Sequence, residues 1–265
     1  MKLFNLDHIS ILPYTTCNFK CPYCCTTNKE LTLRQWDELE PQILKFLQSL
    51  PKKAIMVSGG EPLLWNWSKL INNTDHTWYF LTNGSVIPEW VNKQDKIKLF
   101  IAAFHKSQIE LDKFIYNIRK LEKPTFVKVV YTGMDDIASV EKLIKENIPA
   151  SLTPEVNSKY NQDQVELIKP YITSQMYLNR FLGVKRSKGK CNAGTALSFE
   201  LTGTKVNRCS HNSCKFIGEI DNPKLYNKPK NCSRKTCYCE WHQFSELSGG
   251  EENERWQKLV DTGKW

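Results

Sequence analysis

The chain has 265 residues, 40% of them hydrophobic and 11% aromatic, enough to bury the core of one large domain and too apolar for wholesale disorder. Its net charge of +9 suits a solvated surface, an anionic substrate or an acidic electron donor, and no basic stripe interleaved with aromatics argues for nucleic acid. No apolar run approaches the roughly 18 residues of a membrane span, and the opening MKLFNLDHIS is interrupted by Asn5, Asp7 and His8, unlike a signal peptide, so the expectation is a cytoplasmic protein with no membrane partner.

Residues 7–12 read as a short buried strand ending at Pro13, and 13–30 as a cysteine-bearing loop. Thr32 is placed to cap a helix over 33–50, whose apolar stripe runs through Leu39, Ile43, Leu44, Phe46, Leu47 and Leu50, with Pro41 as a possible kink. Strands follow at 53–57, running into Ser58-Gly59-Gly60-Glu61-Pro62, at 77–82, ending in Asn83-Gly84, at 98–104, ending at His105, and at 125–131, ending in Thr132-Gly133. Between and after them lie the helical stripes Leu111, Phe114, Ile115, Ile118, Leu121 and Ile137, Val140, Leu143, Ile144. Strands alternating with helices predict an α/β fold with a parallel sheet, which carries its ligands at the carboxyl ends of the strands.

Near residue 185 the texture changes. A basic, glycine-bearing joint leads to an alternating hairpin turned at Thr202-Gly203-Thr204, then to a second cysteine-rich stretch. The expected division is a core at 1–185, a small cysteine-rich hairpin domain at 186–245 and a tail at 246–265 that packs back as a short helix.

The ten cysteines fall as four at 17–25 and six at 191–239. Without an export signal, and in a chain too large to need staples, they read as two metal sites rather than disulfides. Cys17, Cys21 and Cys24 put three thiolates on one tight loop. Thiolates hold iron–sulfur clusters, normally four per cubane, so three imply a metal position left open for a ligand. Tyr23, just before the third cysteine, is placed to shield such a cluster. The competing readings are a zinc site or unrelated thiols.

CNFKCPYC at 17–24, together with GGEP at 59–62 after the second strand, resembles the radical S-adenosylmethionine (SAM) superfamily. The resemblance implies a partial (βα)6 barrel in which Cys17, Cys21 and Cys24 hold a 4Fe–4S cluster whose free iron is chelated by SAM. It further implies that Ser58, Gly59, Gly60, Glu61 and Pro62 form the edge that meets the SAM amino group, with Glu61 as acceptor. Asn83 matches the polar third-strand end near the adenosyl part, against the simpler reading of an Asn-Gly turn. Related sequences often carry Ser-Phe-His where this chain has Ala103-Phe104-His105, so the serine that the family pairs with a ribose contact is absent; His105 either touches substrate or SAM, as a tentative catalytic residue, or caps the next helix. Lys128, inside a strand, either reaches the SAM carboxylate or is an ordinary barrel lysine.

CNAGTALSFELTGTKVNRC at 191–209 resembles the opening of a Twitch or SPASM domain, which implies an auxiliary 4Fe–4S cluster. The later cysteines, C-x4-C-x-C at 232–239, depart from the full SPASM run and favour the shorter Twitch form with one cluster. Its ligands are expected to be Cys191 and Cys209, completed by two of Cys232, Cys237 and Cys239, with Cys25 and Cys214 spare; a structural zinc ribbon is the alternative. The implied activity is reductive cleavage of SAM to a 5′-deoxyadenosyl radical that takes hydrogen from a substrate, driven by a flavodoxin- or ferredoxin-like donor, with the auxiliary cluster serving a net oxidation. The expected substrate is a small polar metabolite, sugar- or nucleotide-like. A ribosomally made peptide is the alternative, weakened because a first cluster cysteine at residue 17 leaves no room for a leader-recognition domain before it. A non-catalytic iron–sulfur or zinc module is the reading from another class.

Overall fold

The structure, a computed structural model, describes residues 8–12, 16–24, 33–155, 158–173, 175–183, 190–191, 194–195, 198–209, 216–228, 230–231 and 250–264. Strands and helices alternate through the first two thirds: β1 (His8–Ile11), α1 (Leu33–Gln48), β2 (Ala54–Val57), α2 (Ser68–Asn72), β3 (Thr77–Thr82), β4 (Ile97–Phe104), α3 (Leu111–Ile118), β5 (Thr125–Tyr131), α4 (Asp135–Lys145), β6 (Ala150–Pro154), α5 (Gln162–Ile168) and α6 (Gln175–Phe181). Then come β7 (Lys190–Cys191), β8 (Ser198–Thr202), β9 (Lys205–Asn207), β10 (Phe216–Glu219), β11 (Lys230–Asn231) and a terminal helix, α7 (Gly250–Thr262).

One nine-stranded sheet runs in the order β10-β9-β8-β1-β2-β3-β4-β5-β6, and β1 to β6 pair in parallel. This is the expected α/β fold with a parallel central sheet. The strands read as near-continuous apolar runs because both faces are covered, the habit of parallel sheets. On one face Ile9, Ile55, Val57, Trp78, Phe80, Phe100, Val127 and Val129 join the main core with the helix stripes. On the other, Ala54, Met56, Tyr79, Leu99, Ile101 and Phe126 form a smaller apolar floor covered by Tyr177 of α6 and Leu259 of α7. The period of two along each strand sorts its residues between these faces.

Helix α1 is continuous through Pro41; Thr32, its expected cap, lies outside the described residues. Strand β6 and helices α5 and α6 went unread in the sequence, because ASLTP is short and proline-ended and the helices have only 7 residues each. The hairpin at the C-terminal side is joined to the core sheet: β8 lies parallel to β1, from His8↔Ser198 to Ile11↔Leu201, and Phe199 meets Phe46 edge to face at 5.9 Å.

Gly84, just past β3, has φ +66°, and a Cβ there would come within 2.6 Å of the Phe114 ring. Gly84→Ala is expected to destabilise the chain by about 2–4 kcal/mol, from left-handed backbone strain plus overpacking, seen as a lower thermal midpoint; an unchanged midpoint would mean that Phe114 gives way freely.

Candidate functional site

The loop from Thr16 to Cys24 sits over the carboxyl ends of β1 to β4 and is held by each strand end in turn. After β2, Glu61 N–H donates to Thr16 O at 2.8 Å. After β3, Asn83 Nδ2 donates to Asn18 Oδ1 at 3.0 Å and approaches Cys17 Sγ at 3.6 Å, while Asn18 Nδ2 donates to Ser85 Oγ at 2.8 Å. Asn83 Oδ1 accepts from Ser85 N–H and Oγ–H at 2.9 and 2.5 Å, so its buried amide is engaged at both ends. Cys17 Sγ also accepts from Phe19 N–H at 3.4 Å.

The GGEP segment is pinned from below. Trp67, fully buried beside Trp36 with ring centroids 4.9 Å apart, donates its indole N–H to Pro62 O at 2.9 Å. The Glu61 side chain is 1% exposed. Its Oε1 accepts from Leu63 N–H at 2.9 Å and Thr82 Oγ–H at 2.8 Å, and its Oε2 from Asn83 N–H at 2.5 Å. The carboxylate expected to meet an amine is therefore turned inward onto protein donors, tying the β2 and β3 ends together. Ser58, Gly59 and Gly60 stay half-buried, and Gly59, at φ 125°, adopts a backbone that only glycine takes readily. Burial pushes the Glu61 carboxyl up to about 7 against the pull of its three donors.

His105 follows β4 and lies on the loop. Its Nδ1 is 3.0 Å from Tyr23 Oη, the two rings stack with centroids 5.8 Å apart, and Phe19 meets its edge at 6.1 Å. Burial lowers the imidazole to about 4 and raises the Tyr23 phenol to about 12, with the nearby Cys21 adding to the latter. A neutral ring stacked on Tyr23 supports the loop; it does not cap α3, whose N-cap is Glu110. Lys128 sits mid-strand on β5, level with Ala103 and Ser151, 8% exposed, its Nζ 5.3 Å from the Tyr177 ring centre.

Among the described residues no three His, Cys, Asp or Glu side chains cage a single ion. The fit of the loop to an iron–sulfur cluster rests on other grounds. Its donors are all sulfur, and two N–H groups point at Cys17 Sγ, as they do toward cluster thiolates. Burial raises Cys17 and takes Cys21 to about 11, so without iron these two are thiols, and iron must displace their protons.

In the second cysteine group, β7 pairs antiparallel with β11 through Cys191↔Lys230. Arg208, next to Cys209, donates Nη1–H to Asn231 O at 3.1 Å and Nη2–H to Lys230 O at 2.8 Å. These contacts draw together the Cys191 backbone, Cys209 and the chain leading to Cys232; Cys232, Cys237, Cys239, Cys25 and Cys214 lie outside the described residues. Sequence reasoning missed Asn18, Thr82, Ser85, Trp67, Gln108 and Arg208. Only Trp67, one of two tryptophans just past GGEP, had a local signal.

A parallel α/β sheet with a three-thiol loop and a glycine edge at its carboxyl rim defines an iron–sulfur, SAM-binding class of protein. The chain belongs to the radical SAM superfamily, whose family model matches residues 11–150. Membership carries SAM and a SAM-bound 4Fe–4S cluster, and the members are enzymes. A putative glycyl-radical enzyme activating enzyme of Methanocaldococcus jannaschii is 26% identical over 195 residues, 71% of each chain. A 7-carboxy-7-deazaguanine synthase of Bacteroides thetaiotaomicron is 28% identical over 126 residues, 46% of this chain and 59% of that one. The fold matches SAM-bound anSMEcpe (TM-score 0.56, 14% identity, 82% of this chain and 79% of that one). It also matches SAM-bound SuiB of Streptococcus suis (TM-score 0.56, 14% identity, 84% and 65%). Among the described residues no helix is long and apolar enough to cross a membrane.

Proposed function

We propose that this chain cleaves SAM reductively and uses the resulting radical to take a hydrogen atom from a small polar metabolite, sugar- or nucleotide-like. The observation that carries the reading is the meeting of the Cys17, Cys21 and Cys24 loop, the Gly59-Gly60 edge and Asn83 at adjoining strand ends. When bound, the cluster supplies one electron to the SAM sulfonium, so that a C–S bond opens to a 5′-deoxyadenosyl radical. The half-buried backbone of Ser58 to Gly60 is the part of its segment open to an amino group. Tyr23 and His105 stack on each other and brace the loop between Cys21 and Cys24. The apolar floor beside Lys128 and Tyr177 keeps solvent from the sheet side, as radical chemistry requires. Exposed Cys24 and the net charge of +9 suit an acidic flavodoxin- or ferredoxin-like donor.

In this reading residues 1–185 are the catalytic core. Residues 186–245 are a Twitch-like unit carrying one auxiliary 4Fe–4S cluster on Cys191, Cys209 and members of Cys232, Cys237 and Cys239, supported by the β7–β11 ladder and the Arg208 fork. Residues 246–265 close the floor through Leu259. A second reading, radical modification of a peptide or protein, draws support from the fold's likeness to SuiB bound to its precursor peptide SuiA and to peptide-bound anSMEcpe, and from the 26% identity to a putative glycyl-radical enzyme activating enzyme.

Anaerobically reconstituted chain is expected to hold about eight irons, two cubanes. Its reduced EPR signal should be perturbed by SAM, and 5′-deoxyadenosine and methionine should accumulate. Zinc in place of iron, or a signal indifferent to SAM with no cleavage, would move the chain to the non-catalytic metal module.

A further inference from the structure

The segment carrying Cys17, Cys21 and Cys24 has turns but no strand or helix in its described residues, so tertiary contacts must fix it. Between the first two cysteines, one side chain grips a single residue at both backbone polar atoms. Lys20 N–H donates to Gln108 Oε1 at 2.8 Å, and Gln108 Nε2 donates to Lys20 O at 3.3 Å, across 88 positions of sequence. A primary amide presents an acceptor and two donors in one plane, so it can replace the N–H and C=O that a neighbouring strand residue would offer.

Gln108 is itself anchored. Its N–H donates to His105 O at 2.8 Å, and its Nε2 also reaches Ser107 O at 3.1 Å and Ser107 Oγ at 3.3 Å. The same turn after β4 supplies His105 to Tyr23. It therefore holds the loop at Lys20 and Tyr23, the residues just before Cys21 and Cys24.

We propose that Gln108 is a positioning residue for the cluster loop: its amide acts as a one-residue strand partner for Lys20 and sets where the Cys21 limb presents its sulfur. The proposal rests on the cluster reading of that loop. It also makes the Lys20 side chain irrelevant, since only its backbone is used.

The test compares wild type, Gln108→Ala, Gln108→Glu and Lys20→Ala as full-length, anaerobically reconstituted chains. The readouts are iron per chain, the rate of iron release to a chelator, and the share of the reduced EPR signal that SAM perturbs. Gln108→Ala is expected to take up iron to the wild-type level, to release it about tenfold faster, the factor that one or two lost hydrogen bonds carry, and to show a smaller SAM-perturbed share. Gln108→Glu keeps the acceptor for Lys20 N–H but sets an oxygen against Lys20 O, so it should fall with the alanine variant; being isosteric, it decides the matter if alanine fails to fold. Lys20→Ala should match wild type. Wild-type release rates in both Gln108 variants, or Lys20→Ala as labile as Gln108→Ala, would overturn the proposal. A wild-type signal without SAM response sinks the cluster reading and the proposal together, whereas a responsive wild type with unaltered Gln108 variants sinks the proposal alone.

Discussion

Cys21→Ala is expected to remove about four irons per chain, one cubane, and to abolish both the SAM-perturbed EPR signal and 5′-deoxyadenosine formation, while the fold survives. Survival follows from how the loop is held. Glu61 N–H to Thr16 O, Asn83 to Asn18 and Gln108 to Lys20 are all contacts that do not use the Cys21 sulfur. The thiol is half-buried, and trimming one partly exposed sulfur costs on the order of 1 kcal/mol or less. Loss of the third thiolate is different in kind, because two remaining sulfurs cannot support a cubane that must also keep one iron open to SAM. Cys209→Ala is the matched control: it should lose the other four or so irons and keep the SAM response. The measurement is iron content beside EPR and far-UV circular dichroism. An unchanged iron count in Cys21→Ala would assign the metal elsewhere. Loss of all iron from the Cys209 variant would mean that the two sites do not assemble independently.

Much of the core was legible because parallel strands buried on both faces write themselves as unbroken apolar runs, and TWYFLT, KLFIAAF and TFVKVVY needed no partner to be seen. What those runs cannot carry is pairing. The β8–β1 register joins residues 190 positions apart by parallel hydrogen bonds, and the alternation of SFEL marks a strand without naming its neighbour. The site divides in the same way. Cysteine spacing and GGEP mark the loop and the edge, since backbone and thiol chemistry is local to those motifs. The direction of the Glu61 side chain was not legible, because it is decided by Thr82 and Asn83 on the next strand. Asn83 could be seen as a turn residue, but its hold on Asn18 belongs to the tertiary structure. Gln108 had no motif: an amide in a polar turn acquires its role only when Lys20 comes within reach. Lys128 stood out as a cation in an apolar strand, and burial against Tyr177, a partner 49 positions on, is what the structure adds.

The stability difference between wild type and Glu61→Gln is expected to close as pH rises from about 5 to about 7.5, because the contribution of Glu61 is lost over that range while the opposing rise from His105, whose imidazole burial lowers to about 4, is common to both chains. The Glu61 carboxyl lies at about 7 in the folded state against an ordinary value of 4.5. Between those values Glu61 holds a proton in the folded chain that it has released in the unfolded chain, so its contribution to stability decreases with rising pH and levels off above the folded value. The full difference is about 3 kcal/mol, or a midpoint change of about 5–10 °C for a chain of this size. The cause is burial, which outweighs three donors. A protonated Glu61 can donate to Thr82, whose hydroxyl can turn to accept because it is both donor and acceptor, while Leu63 and Asn83 N–H remain satisfied by the carboxyl oxygens. Glutamine matches that neutral form in shape but sets an NH2 against a donor, so the variant should start lower at pH 5 and converge on wild type near pH 7.5. Thermal midpoints of the two chains across this range make the comparison, each free of iron so that cluster protonation plays no part. Parallel curves would place the carboxyl's titration outside the range and leave Glu61 ionised throughout, held by its three donors.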